Sequence, residues 1–447
     1  MTDVYGAHTS GIPLSEVRPD NSVGSNALRL GLVCSPYHRG GIERWMIDMA
    51  SEWQRQYGGC WFVVPRPRQP FINGVGRPAV LDLVSLSQPG DRPQIVAPEV
   101  SDAYEFGTEA YRAGIYATAV RNSVPAGVPL IVSDDPAAWR AAAWTANRNP
   151  FIAVIHGELG GYDLLVSRYA PFVSAFVGVS HRVTRRVRAV LGHDRIPTAT
   201  IPCGIRMPEM PERMRSRSDS IRLVWVGRMQ EEAKRVSDLP KIAACLRGRG
   251  VRFSMDIMGD GEQRPMLAEA VSRARLDDLV RLHPWGTPAE VQGLLREADV
   301  LLLPSNREGM PITVMEALSL GCAVVASRVS GVEDYENHPL AAGCFWVHDV
   351  GNVQEAATAV ERATETDPYR RASSARALAE AEFSVRRTVE HYARLVREIR
   401  KTESLRPNLI QRHPALRAII SMPVAAQRIA RLWSTGRYRR PQRIVAQ

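Results

Sequence analysis

What most constrains this chain is a repeated alternation. Short runs rich in Val, Ile, Leu and Phe are each followed by an amphipathic stretch long enough for a helix. That grammar belongs to α/β domains built on parallel sheets. In the first half it predicts strands at 28–34, 60–64, 130–133, 151–155, 175–179 and 198–202. Helices are predicted at 41–56, 108–123, 137–147 and 181–191. Residues 66–98, rich in Pro and Gly, predict irregular loops around one or two strands. The second half restarts the pattern, with strands at 222–226, 252–258, 280–283, 300–303 and 323–326. Its helices are predicted at 238–249, 262–274, 288–297, from about 312, and at 353–364, 369–381 and 384–400.

A chain of 447 residues exceeds one ordinary core, and about one domain per ~150 residues gives two or three. The charged, proline-bearing stretch 207–220 suits an exposed linker. The expected division is a polar segment 1–27, a first domain 28–206, the linker, a second domain 221–383, a helix 384–403 and a basic amphipathic extension 404–447. No run approaches the ~18 apolar residues that would span a bilayer. The polar N-terminus shows no signal-peptide pattern. The six cysteines (Cys34, Cys60, Cys203, Cys245, Cys322, Cys344) include no C-x-x-C pair, which predicts reduced thiols in a cytoplasmic protein. The formal charge of +10 is carried almost wholly by arginine; the only lysines are Lys234, Lys241 and Lys401. It calls for an anionic partner, but no nucleic-acid recognition module accompanies it, and none is expected to bind.

The segment Glu308-Gly309-Met310-Pro311-Ile312-Thr313-Val314-Met315-Glu316-Ala317 follows an apolar strand and opens a helix. Open α/β sheets bind ligands outside the carboxyl ends of their strands, where such loops lie. Gly309 lets the backbone approach a ligand closely. Pro311 suits a helix start, where a missing N–H costs nothing. The free amides near 312–314 would face outward at the positive end of the helix, a site for phosphate. Glu308 and Glu316, with seven residues between them, could accept hydrogen bonds from hexose and ribose hydroxyls. Upstream, Gly227-Arg228 ends a strand and Lys234 follows six residues after Arg228. Fixed cations there would stabilise a departing nucleoside diphosphate more than its ground state.

Together these motifs resemble the E-x7-E signature and the GR…K pair of the family-4 retaining glycosyltransferases, which have the GT-B fold. The resemblance covers roughly residues 28–400 and is strongest over 222–335. It implies two Rossmann-like domains with parallel sheets facing across a cleft, and a C-terminal helix crossing back to the first. It also implies Glu308 on the donor sugar, Glu316 on the ribose, and Arg228 and Lys234 on the diphosphate. Arg235 departs from the pattern, since the family often has Gly there. By the same resemblance, Gly40 and Gly41 form a glycine loop at the first helix, and His156 lies beside the donor sugar. Gly286, in the loop 282–286, contacts the nucleotide base, while Gly309, Met310, Pro311 and Ile312 complete the donor site. Gly259-Asp260-Gly261 reads as a turn, and Ser330-Gly331-Val332-Glu333 as a later loop near the donor. Asp134 and Asp135 end another strand, where capping the helix before Pro136 competes with receiving the acceptor.

No D-x-D motif stands in a plausible metal loop, so the two bases are expected to take a metal's place, with no cofactor beyond the nucleoside-diphosphate sugar donor. The implied reaction is transfer of a hexose, with retention, to a glycan or lipid-linked acceptor, in envelope or exopolysaccharide synthesis. An epimerase of the same shape and a catalytically silent sugar-binding protein are the alternatives. A dinucleotide oxidoreductase is disfavoured because Ser35-Pro36-Tyr37-His38 stands where G-x-G-x-x-G would. The extension 405–447 sets arginines among Leu416, Ile419, Ile420, Ile429, Leu432 and Trp433. It reads equally as a segment lying on an anionic membrane and as one packed on the fold or solvated.

Overall fold

The computed structural model describes residues 28–35, 41–67, 91–100, 107–133, 135–209 and 220–403. The segment 1–27, Gly40, Asp134, most of the linker and the extension 404–447 lie outside the described residues. The first sheet holds β1 (Leu30–Val33), β2 (Cys60–Val63), β3 (Gln94–Val96), β4 (Leu130–Val132), β5 (Phe151–Ile155), β6 (Ala175–Gly178) and β7 (Thr198–Thr200). Its order is β3-β2-β1-β4-β5-β6-β7, parallel throughout. A two-residue pairing, Arg66–Pro67 with Glu99–Val100, lies apart from it.

The second sheet holds β8 (Ile221–Arg228), β9 (Phe253–Asp260), β10 (Val280–His283), β11 (Val300–Leu303), β12 (Ala323–Ser327) and β13 (Phe345–His348). It runs β10-β9-β8-β11-β12-β13, again all parallel. Every residue of β4, β5, β11 and β12 is buried, which is why these strands read as unbroken apolar runs. In both sheets the strand order reverses beside the first strand, between β1 and β4 and between β8 and β11. Ligands of doubly wound sheets bind at that reversal.

The first-lobe helices are α1 (Gly41–Tyr57), α2 (Glu109–Ser123), α3 (Pro136–Thr145), α4 (Gly160–Tyr169) and α5 (His181–Leu191). The second lobe adds α6 (Glu231–Lys234), α7 (Asp238–Gly248), α8 (Arg264–Arg273), α9 (Pro288–Glu297), α10 (Ile312–Ser319), α11 (Val353–Glu365) and α12 (Pro368–Glu382). Their starts are written locally. Thr287 and Glu290 form a reciprocal capping box ahead of Pro288 on α9, and Asp135 caps α3 through the Ala137 amide at 2.9 Å.

The last helix, α13 (Val385–Glu403), returns to the first lobe and packs on α1. It buries Val389, Tyr392, Val396 and Ile399, with the Tyr392 and Trp45 rings 6.2 Å apart. Each such side chain contributes at most roughly 1.5–3 kcal/mol of burial, enough in sum to hold the helix down. Beside it the chain crosses between lobes twice. Ile205 donates its N–H to Phe383 O and accepts from Val385 N–H, each at 2.8 Å. A Cβ on Gly204 would lie 2.8 Å from Val385 Cα, so only glycine fits between the crossings. Among the described residues no helix is long and apolar enough to cross a membrane.

Candidate active site

At the reversal of the second sheet, β8 delivers Gly227-Arg228 and β11 delivers the loop Pro304–Pro311. Register pairs Gly227 with Gly259 and Arg228 with Asp260. A Cβ on Gly259 would sit 1.9 Å from Gly227 O, and one on Gly261 2.6 Å from Met229 O. The Gly259-Asp260-Gly261 turn is therefore glycine-rich because it lies against the end of β8. Arg228 is exposed there and has no side-chain partner among the described residues.

The single turn α6 brings Lys234 back over the sheet and stops at Arg235, whose φ of 47° is left-handed. That backbone explains why glycine suits the position and why arginine is an exception to it. Lys234 Nζ donates to Glu308 Oε1 at 2.6 Å, and Ser305 Oγ donates to the same oxygen at 2.7 Å. The base expected at the diphosphate and the carboxylate expected at the sugar thus form one partly buried ion pair. Such a pair is costly to break from one side, because the surviving charge stays desolvated.

The other lobe closes directly over this loop. A Cβ on Gly309 would lie 1.6 Å from His156 O, and one on Gly331 2.5 Å from Gly309 O. Met310 is buried, and Pro311 caps α10 with φ −71° and ψ 114°. Gly41, the first residue of α1, faces Ile312, the first residue of α10: a Cβ on Gly41 would lie 2.5 Å from Ile312 Cγ1. Two helix N-termini, one from each lobe, therefore meet here, and the positive ends of their dipoles make the junction attractive to an anion. Around it, Ser180 Oγ and Ser330 Oγ are 2.6 Å apart, the His181 N–H donates to Asp334 at 2.8 Å, and Arg182 pairs with Glu333.

Two titratable groups at the junction are displaced in opposite senses. Glu316, on α10, has its carboxyl pKa raised to about 7, chiefly by burial. Arg44 of α1 offsets this partly, and Asp48 adds to it. By surface area the residue is only half-buried, so the effect belongs to its packed carboxylate rather than to the whole side chain. His156 has its imidazole pKa lowered to about 3 by burial, and is neutral near pH 7. Its ring lies edge-on to Trp45 with centroids 5.1 Å apart, Nδ1 is 3.8 Å from Cys203 Sγ, and Nε2 has no hydrogen-bond partner among the described residues. What His156 turns to Gly309 is its main-chain carbonyl.

Lys234, Glu308, Gly309, Met310, Pro311, Ile312, Gly41 and His156 gather at the junction, and Glu316 lies within electrostatic reach of α1. Gly286 stands apart, packed on Met258 Sδ at 2.7 Å from a notional Cβ, beside exposed Trp285. Asp135 acts as the cap, also accepting from Tyr116 Oη at 2.9 Å. Sequence reasoning missed Ser305, Asn306 and the contacts of Ser180, His181 and Arg182 with the other lobe; the loop Ser330–Glu333, expected near the donor, lies against Gly309 and also meets the first lobe. Among the described residues no three His, Cys, Asp or Glu side chains gather as a metal site.

Residues 220–366 match the family model described as glycosyl transferases group 1. The second lobe is a group 1 glycosyltransferase domain. The chain is 30% identical over 172 residues to the amylovoran biosynthesis glycosyltransferase AmsK of Erwinia amylovora, covering 37% of this chain and 41% of that protein. It is 28% identical over 151 residues to the putative colanic acid biosynthesis glycosyltransferase WcaL of Escherichia coli K12, covering 32% and 37%. The chain thus spans less than half the length of these curated relatives. The crystal structure of Anabaena Alr3699/HepE in complex with UDP superposes with a TM-score of 0.62 at 16% identity, over 83% of this chain and 100% of that one. That likeness establishes the fold: the glycosyltransferase domain and the lobe before it form a GT-B pair.

Proposed function

We propose that the whole chain is a retaining glycosyltransferase that moves a hexose from a nucleoside-diphosphate sugar to a glycan or lipid-linked acceptor. The observation that supports it most is the Lys234–Glu308 pair, held at the sheet's reversal under two facing helix N-termini. A diphosphate entering here would meet Lys234 and helix amides, fixed before the charge develops, with exposed Arg228 beside them. Preorganised donors of this kind lower a barrier because they need no reorganisation during the reaction. As Lys234 turns to phosphate oxygens, Glu308 is freed to accept from the sugar hydroxyls. Glu316 would hold the ribose as an acceptor when ionised and as a donor when protonated. The acceptor hydroxyl attacks from the face the diphosphate leaves, a donor phosphate oxygen takes its proton, and the C1–O bond to the diphosphate breaks. His156, whose main-chain carbonyl meets Gly309, would shape that face beside the sugar.

The two bases take the electrostatic role a divalent cation would otherwise fill, so turnover is expected to survive EDTA. The relatives named for amylovoran and colanic acid biosynthesis support a role in polysaccharide assembly. We read the basic extension as a contact with anionic membrane that brings a lipid-linked acceptor to the site; removing residues 404–447 should then abolish sedimentation with anionic liposomes. The deciding experiment is a thermal-shift screen against UDP-, GDP-, ADP- and dTDP-sugars, followed by NMR of the product's anomeric configuration. A sugar nucleotide that raises the midpoint and yields a retained product supports the reading. An inverted product, or a midpoint unmoved by all four, overturns it.

A further inference from the structure

Lys234 can act on a diphosphate only if its turn is held at a fixed height above the sheet, and α6 is one turn long with no buried residue of its own. Ser237 bonds its start through Glu231, and the rest of what holds it comes from the opposite loop. Asn306 donates its main-chain N–H to Ala233 O at 2.9 Å and its Nδ2–H to Glu232 O at 3.1 Å. Its Oδ1 accepts from Arg235 Nη1 at 3.3 Å. Arg235 in turn donates Nε–H to the buried Asp238 at 2.6 Å, a carboxylate that also accepts from Lys241 at 2.9 Å. The Arg235 guanidinium lies against Gly351, where a Cβ would come within 2.9 Å of it. Arginine here accepts a left-handed backbone that glycine would adopt freely, and these side-chain bonds help to offset the strain.

We propose that Asn306 and Arg235 form a positioning pair that sets Lys234 against Glu308 before the donor binds. The idea rests on the diphosphate reading of Lys234 and adds two residues to it. Neither touches the donor in this scheme; both act through the lysine. Asn306 ties the turn from one side and Arg235 anchors its end to α7. The replacement of glycine by arginine exchanges backbone freedom for a rigid brace.

A double-mutant cycle in the full-length protein separates this from a general packing role. Binding of UDP, GDP, ADP and dTDP is measured by calorimetry, taking forward the nucleotide that wild type binds best. Lys234→Ala is expected to weaken it roughly tenfold, as for one lost charge-assisted contact. Asn306→Ala and Arg235→Gly should each weaken it about threefold to fivefold alone, but less than about twofold when added to Lys234→Ala. Arg235→Gly keeps the backbone within its allowed range, so it folds even if Asn306→Ala does not. Arg235→Lys, which retains the charge and the Asp238 partner, should recover part of the loss. Full additivity on the Lys234→Ala background would overturn the positioning pair while leaving the diphosphate site intact. Unchanged binding in Lys234→Ala, or no binding of any nucleotide by wild type, would instead overturn the diphosphate reading.

Discussion

The two lobes share a sheet order and differ in what they bring to their junction. The second lobe brings charge, in a network of short bonds: Lys234 to Glu308, Ser305 to Glu308, Asn306 to the α6 backbone and Arg235 to Asp238. The first brings surface: the His156 carbonyl under Gly309, Gly41 against Ile312, and a neutral imidazole buried beside Trp45. Among the described residues, the bonded charges gather at the second lobe's reversal point. The lesson is that one doubly wound scaffold can hold reactive charge rigidly while its twin supplies a cover.

The contrast predicts unequal losses. Lys234→Ala should cost turnover about a hundredfold or more, from the ~3 kcal/mol of a lost preorganised donor. His156→Ala should cost only about tenfold, through repacking, and steady-state kinetics of both variants checks the ratio. Equal losses would break the division between lobes. Gly309→Ala comes next. Its Cβ would meet His156 O, so the lobes must part, and turnover should fall roughly tenfold to a hundredfold while the thermal midpoint changes little.

Stability against pH sharpens the comparison further. Glu316 binds its proton more tightly folded than its ordinary 4.5, up to about 7. Its contribution is therefore complete below about pH 4.5 and is lost as pH rises through about 7. His156 has the opposite sign: its folded pKa of about 3 lies below the ordinary 6.5, so stability is complete above about 6.5 and is lost as pH falls towards 3. Between about pH 4.5 and 6.5 the two slopes oppose each other. In thermal melts across that window, Glu316→Gln should make stability rise with pH, and His156→Gln should make it fall. Identical slopes in the two variants would show that neither group governs the window. The smallest effect belongs to the Arg182–Glu333 pair across the lobes, which is part-exposed; Arg182→Ala should cost at most about 1 kcal/mol in denaturant unfolding.

Legibility in the sequence followed burial. The strands of the second lobe stood out because helices cover both faces, leaving runs such as Val300–Leu303 without a polar interruption. The site motif was readable for a related reason, since Gly309 and Pro311 sit between such a strand and its helix. By contrast, α4 begins Gly160-Gly161 and buries only Val166 and Tyr169, so no apolar face marks it. β13 is four residues long with a half-buried middle, too short to set a period. Asn306 could not be found by spacing at all, because its partners lie more than seventy residues upstream and two of its three bonds reach main-chain carbonyls. The left-handed turn at Arg235 was legible only as a departure from a pattern, and its cause required the backbone.

The paired crossings at Ile205 and Ser384 have a mechanical consequence. A single thread between two bodies leaves them free to swivel, whereas two threads zipped edge to edge resist torsion and yield chiefly to bending. Opening and shutting of this molecule should then follow one arc, with the rim opposite the strap travelling furthest. A methyl group introduced at Gly204 would act as a wedge in that strap, altering the arc without touching any residue of the site.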